Sequence, residues 1–326
     1  MVKKALTAFF AGLGMLMLIL DSKTALSGGI AGVDVCVRTV IPSLFPFFVL
    51  TILLTGTLSG LQMKLLRPIG RLCKMPDGSE PLLLLGLLGG YPAGAQAIAQ
   101  TYAVGQLSRK DAQRLLGFCN NAGPSFLFGI AALSFPSPWM PWALWGIHML
   151  SAILTGYLLP GKPHSNVYKS NAGQISLSKA VERAIRVMAK VCSWIILFRI
   201  VLAFCDRWFL WYFPVAVRAI LVGILELANG CLQLGNISSV SLRFCVCSAI
   251  LSLGGISVTM QTLSVTGSLG MGQYLPGKLI QCVLSILFSL LIFFPQYIPI
   301  AALLITSLLF LPKIKNNSRK TEKVIV

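Results

Sequence analysis

The chain has 326 residues, of which 56% are hydrophobic and only 11% charged, and it carries a net charge of +18. Soluble domains carry about 25% charged residues, so this composition excludes an ordinary soluble fold; several runs approach the roughly 20 apolar residues that span about 30 Å of hydrocarbon. The charge does not point to nucleic acid, because the basic residues cluster between hydrophobic runs, at 3–4, 64–74, 109–114, 162–190 and 313–323. That is the positive-inside pattern of cytoplasmic loops beside an anionic leaflet.

With the basic loops cytoplasmic, the predicted elements follow in chain order. Residues 5–20 run outward. The opening "MVKKALTAFFAGLGMLMLIL" resembles a secretory signal, but no convincing small-residue cleavage site follows, and a retained first helix is expected. Residues 21–40, with Asp21, Asp34 and Arg38, form a semi-polar external stretch, and 41–60 return to the basic loop at 62–78. Residues 81–107 begin and end beside cytoplasmic basic residues, so they cannot cross once. A re-entrant hairpin turning between Gly89 and Gly94 satisfies the charges and explains why the leucine run breaks. Residues 112–134 then run outward, "FPSP" turns outside, and 139–160 return to a cytoplasmic linker at 161–186.

The second half repeats the plan with opposite polarity. Residues 188–205 run outward to the interfacial aromatic cluster "DRWFLWYF", and 217–235 form a second broken hairpin. Residues 238–262 run inward, 277–295 outward and 297–312 inward to a basic tail. The expected fold is an all-α polytopic membrane protein of about eight transmembrane helices plus two re-entrant helical hairpins in an inverted repeat, with both termini cytoplasmic. Its parts are an N-terminal helix and external segment (1–40), a first membrane repeat (41–160), the linker (161–186), a second, inverted repeat with the last helix (187–312) and the tail (313–326). Locally, "GLLGGYPAGAQ" at 86–96 corresponds to "GILELANGCLQ" at 223–233, and "NNAGPSF" at 120–126 to "SLGGISV" at 252–258. Paired Gly/Pro-interrupted segments in two inverted halves point to a transporter's substrate site.

Broken helices persist at membrane depth only inside protein or around a wet cavity, because unpaired backbone there costs several kcal/mol per group. Pro124 has no amide hydrogen and releases the carbonyl of Asn120, and Pro92 does the same to Leu88. The first half therefore offers Gly90, Tyr91, Pro92, Gly94, Gln96, Asn120, Asn121, Pro124 and Ser125 as candidate substrate contacts. From the second half come Glu226, the acidic residue deep in a hydrophobic segment, with Asn229 and the intramembrane base Arg199. Intramembrane ionisable groups are functional candidates by default. Glu226 and Arg199 either pair, or Glu226 holds a coupling proton or cation while Arg199 reads an anionic substrate. A competing reading has Arg199 snorkel towards Asp206, and Arg218 and Arg243 are interfacial anchors. The nine cysteines read as small apolar fillers without disulfides. His148 and His164 have no partner nearby in sequence, so neither reads as a ligand or base. No metal site, cofactor or enzyme template emerges. The partners expected are the lipid bilayer and a small-molecule substrate, not nucleic acid, with self-association left open.

"GYPAGA" followed by "GQLSRKDAQRLLGFCNNAGPSFLFG" resembles the signature of the YlbJ-type sporulation integral membrane proteins, in the wider group with nucleoside-recognition, or Gate, domains. "IPSLFPFFVL" before it, and "GILELANGC" and "LSLGGISVTMQ" after it, fit the same order. The resemblance implies two Gate-like repeats in the cytoplasmic membrane of a spore former, or its outer forespore membrane. It also implies transport of dipicolinate from mother cell towards forespore. A nucleoside-type carrier, or a non-transporting structural protein of sporulation membranes, are the alternatives.

Overall fold

The computed structural model describes residues 2–58, 63–164 and 175–299. The basic tail, nearly all of the expected last helix at 297–312 and the centre of the linker lie outside the described residues. The described residues are helical, with no strand among them. In chain order the α-helices are α1 (Val2–Leu20), α2 (Ser22–Val35), α3 (Ile41–Leu58), α4 (Arg67–Leu72) and α5 (Glu80–Leu88). Next come α6 (Ala93–Ala103), α7 (Arg109–Leu116), α8 (Pro124–Gly129), α9 (Trp139–Leu158) and α10 (Leu177–Trp208). The series closes with α11 (Val215–Leu225), α12 (Leu227–Gln233), α13 (Val240–Leu253), α14 (Gly255–Thr266) and α15 (Tyr274–Phe293).

Among the described residues, four helical stretches are long and apolar enough to cross a membrane: Ser22–Leu54, Leu177–Trp208, Val240–Leu269 and Tyr274–Phe293. Shorter apolar helices supply much of the rest. The stretch expected as an external segment at 21–40 is instead helix. A π-helical turn, Cys36–Val40, joins α2 to α3 without a break, so Ser22–Leu54 is a rod of 33 residues, about 50 Å at 1.5 Å per residue. Its polar letters are absorbed locally. Asp21 caps α2 through the amide of Thr24 at 3.2 Å, and Asp34 pairs with Arg38 one turn on. Gly28 and Gly32, four apart, face α10 so closely that added Cβ atoms would lie 2.9 Å from the Cα atoms of Ile200 and Ile196. This is the small-residue packing that apolar helices use when burial from water supplies no drive.

Two helical hairpins face the core, and each is made by a crossing of small residues. Between α5 and α6 the chain turns through Gly89 to Pro92. A Cβ on Gly86 or on Gly94 would sit 2.1 Å from the carbonyl oxygen of Cys119. The hairpin is therefore clamped on the backbone of the stretch 117–123, which runs unwound between α7 and α8. Between α11 and α12 the chain breaks at Glu226, whose φ of −144° and ψ of 121° are extended. There a Cβ on Gly230 would lie 2.3 Å from the Cα of Gly223. The expected interruptions near 123 and 255 are both present. Pro124 starts α8 at its first turn, where its missing N–H costs nothing. The junction of α13 and α14 passes through Gly254 and Gly255, both at φ +74°, a conformation that a Cβ disfavours. Each interruption leans on the hairpin of its own half: Gly123 meets Gly90, and Gly255 meets the carbonyl of Gly223.

Candidate functional site

The breaks of the two hairpins meet at one cavity of about 40 Å³. Gly90, Tyr91 and Ser125 line it from the first half, and Glu226, Ala228 and Gln261 from the second. Leu44 and Phe48 of α3 and Val191 and Ile195 of α10 give it an apolar wall. The volume suits one or two waters, each of which occupies about 30 Å³ in the liquid.

Glu226 is 2% exposed and sits at the N-cap of α12, where its extended backbone turns the carboxylate back onto the next turn. Ala228 N–H donates to Oε1 at 3.1 Å, and Asn229 donates to Oε2 from both its backbone N and its Nδ2, each at 2.7 Å. Every partner is a donor, the pattern of an ionised, acceptor-only carboxylate. A buried charge needs such partners, so one residue both ends α11 and starts α12.

Behind Tyr91 lies a second polar group, centred on Lys278. This lysine is 1% exposed, although it stands one turn into the apolar helix α15. Gly277 beside it presses on Gly117, where an added Cβ would lie 2.3 Å from the Gly117 oxygen, and this close approach brings the lysine to the unwound stretch. Its ammonium donates to the main-chain oxygen of Asn120, the carbonyl that Pro124 releases. It also donates to Gln281 Oε1 at 2.9 Å, Asn121 Oδ1 at 3.2 Å and Tyr91 Oη at 3.3 Å. The ring faces of Tyr91 and Tyr274 lie 5.2 and 5.8 Å from the ammonium, within cation–π range. Around this centre the amides interlock. Gln281 Nε2 donates to Asn121 Oδ1 at 2.9 Å, and Asn121 Nδ2 to the Phe118 carbonyl at 2.7 Å. Asn120 accepts from Ala95 N–H at 3.2 Å and donates to Thr262 at 3.0 Å. Tyr91 in turn donates to the Leu251 carbonyl at 3.2 Å, reaching the other half.

A larger cavity of about 800 Å³ opens between α6, α10 and α14. Arg183, Arg186 and Lys190 line it at helical spacing on one face of α10, opposite Gln96 and Gln100 of α6. Gln261 borders both the basic vestibule and the small chamber.

The residues singled out from sequence thus separate into groups. Gly90, Tyr91, Ser125 and Glu226 line the small cavity, and Asn229 holds Glu226. Pro92 and Gln96 line the vestibule. Asn120 and Asn121 hold Lys278 rather than face open space, while Gly94 and Pro124 shape the backbone. Arg199 stands apart: its nearest acid is Asp206 at 3.7 Å, which Arg218 also meets at 2.8 Å. Arg199 thus makes no direct ion pair with Glu226. His148, expected to be without a partner, has two. Its Nε2 accepts from Ala122 N–H at 3.1 Å, and its Nδ1 lies 3.4 Å from Ser252 Oγ. These partners are 26 and 104 residues distant in sequence. All nine cysteines are free thiols. Sequence reasoning missed Lys278, Gln281 and Gln261. The signal was present, since "YLPGKLIQCV" carries Lys278 and Gln281 three apart within a predicted span; a lysine near a span's end reads as a snorkelling anchor.

No family model matches the chain, and no solved structure matches it. The Sporulation integral membrane protein YlbJ of Bacillus subtilis (strain 168) is 37% identical to it over 109 residues, which are 32% of this chain and 26% of that protein. The chain spans about a quarter of the length of the curated relative it matches. Over 32% of its length, this chain, whose described residues are helical and include four apolar stretches long enough to span a membrane, is similar to an integral membrane protein of sporulation.

Proposed function

We propose that the chain is a carrier, not an enzyme, that moves a small polar or anionic metabolite across a membrane of a spore-forming bacterium. The observation that carries this reading is the convergence of both hairpin breaks on one cavity with a carboxylate in its wall. Discontinuous helices meeting at the interface of two repeats are how many secondary transporters build a midplane site. On this reading the two hairpins are re-entrant, the remaining apolar helices complete about eight crossings, and the termini and linker are cytoplasmic.

The vestibule supports an anionic substrate. Its basic wall on α10 attracts anions, and its volume falls in the range of about 300–1,000 Å³ usual for small-molecule sites. Dipicolinate, the dicarboxylate that the family resemblance implies, is a planar dianion of suitable charge, moved from mother cell towards forespore through the outer forespore membrane. The inner chamber is too small for such a ring, so passage requires the hairpin tips to part. A bare carboxylate beside a dianion is unfavourable. A proton or cation at Glu226 would therefore accompany it.

The test is uptake by the purified full-length protein in sealed vesicles, with labelled dipicolinate, a nucleoside and a neutral amino acid compared in parallel. Saturable, protein-dependent dipicolinate movement is expected. Nucleoside movement alone would reassign the substrate, and movement of no solute would leave a structural role in the sporulation membranes.

A further inference from the structure

The Lys278 ammonium occupies a cage that resembles a metal-cation site more than a lysine's surroundings. Four oxygens converge on it: a main-chain carbonyl freed by helix unwinding, two side-chain amide oxygens and a phenol. Among the described residues no carboxylate lies within ion-pair distance of it, so the charge is held by neutral oxygen dipoles alone. That is unusual for a lysine, which when buried is ordinarily paired with an acid. It is the normal ligand set of a hard cation. Unwound carbonyls at a broken helix are also where transporters of this general design hold a coupling sodium ion.

The amide orientations leave no alternative donor for the cage. Asn121 spends its N–H on the Phe118 carbonyl, Gln281 spends its own on Asn121 Oδ1 and the His148 carbonyl, and both turn their oxygens to Lys278. Tyr91 spends its proton on the Leu251 carbonyl. The cage is therefore built for a positive centre, and α15 supplies one on a tether.

We propose that Lys278 is a built-in cation, standing where an exchangeable alkali metal ion would otherwise bind and holding the first hairpin's tip against the unwound stretch at 117–123. The consequence for transport, that it runs without a sodium or potassium gradient, rests on the carrier reading above. The site itself does not, and its test needs no transport.

The experiment is thermal unfolding of the purified full-length protein in detergent, in sodium, potassium and choline chloride at matched ionic strength. The wild type should unfold at one temperature in all three salts. Lys278→Ala, and the gentler Lys278→Ser, empty the cage and take the ammonium from its four oxygens, of which Asn121 Oδ1 keeps its bond from Gln281. In choline they should unfold lower than the wild type. Sodium or potassium should then restore them saturably, by a shift on the order of 5 °C at concentrations well above the dissociation constant. A wild type stabilised by sodium or potassium over choline would overturn the proposal, because an exchangeable ion would then bind beside the lysine. A folded variant indifferent to the cation would also overturn it. If neither variant yields monodisperse protein in any of the salts, a free cation cannot stand in for the ammonium, and the proposal falls.

Discussion

Replacing Glu226 with glutamine separates the two things this carboxylate does. Its Oε2 takes two bonds from Asn229 and its Oε1 one from Ala228. A glutamine keeps the shape but has one oxygen. Placed at Oε2, that oxygen keeps both Asn229 bonds, and the new amide group then confronts the Ala228 N–H, donor against donor. The loss is one hydrogen bond to a charged group, about 1.5–3 kcal/mol, and part of an N-cap worth about 0.5–2 kcal/mol. Against this stands relief from burying a charge, so a net cost of about 1–2 kcal/mol is expected. For a chain of this size that lowers the unfolding midpoint by roughly 1.5–3 °C, and Glu226→Ala, which strips all three donors of their acceptor, should lower it further.

Transport should respond differently from stability. Glu226→Gln keeps most of the fold and removes the ionisable site, so vesicle uptake should fall at least about tenfold while the protein is recovered at near-normal yield; tenfold corresponds to about 1.4 kcal/mol of barrier. Thermal unfolding and initial uptake rates on the same preparation read the two effects apart. If midpoint and rate both match the wild type, the carboxylate has neither role. If yield collapses as far as in the alanine variant, the charge is chiefly a structural cap and the substrate reading of Glu226 is wrong.

Gly94→Leu should abolish monodisperse protein, since even a methyl there meets the Cys119 oxygen at 2.1 Å, whereas Gly12→Leu, with nothing within 4 Å of its Cβ position, should leave yield unchanged on size-exclusion chromatography. Asn121→Ala takes an acceptor from the buried ammonium and from Gln281, so its midpoint should fall by the equivalent of about 2–4 kcal/mol; a change in substrate affinity with no loss of stability would contradict this. Arg183→Ala and Lys190→Ala should raise the KM for an anionic solute with little change in kcat, and the effect should shrink as salt rises; a fall in kcat at constant KM would remove the vestibule from the path. Single cysteines replacing the exposed Asp77 and Lys110, one on each side of the first hairpin, should be labelled from the same face of sealed vesicles. Labelling from opposite faces would mean that α5 and α6 cross the membrane together.

The two hairpins and the two interruptions were legible because Gly, Pro and a lone carboxylate act locally. A helix cannot continue through Gly89 to Pro92 without losing bonds, and Glu226 in an apolar run must be solvated by whatever lies within a turn of it. What was not legible depended on contacts between distant segments. The reading of 21–40 as external followed from its polar letters, but Asp34 and Arg38 satisfy each other one turn apart and leave the helix free to continue. His148 finds Ala122 and Ser252 only after the chain has folded. The carbonyl of Asn120 was rightly seen as released, yet nothing in its own segment names the donor. That donor arrives from α15, 158 residues on. The main-chain oxygen of Asn120 and the Oδ1 of Asn121 both turn towards Lys278, which no signal in their own segment announces.

Two breaks among the described residues hold buried groups of opposite charge. In the second half a break leaves free amides, and Glu226 meets them with a carboxylate. In the first, a break leaves a free carbonyl, and Lys278 meets it with an ammonium. Glu226 caps the N-terminus of α12, where the helix dipole favours a carboxylate, and Lys278 meets a carbonyl of the unwound stretch, so neither needs the other as a direct partner. Tyr91 stands between them, with its ring in the wall of the cavity that holds Glu226 and its hydroxyl shared by Lys278 and the Leu251 carbonyl. On the carrier reading, parting the hairpin tips would move Tyr91, and with it both its ring in the cavity wall and its hydroxyl between α13 and α15. The size of the cavity and the state of the lysine cage are therefore linked through one phenol.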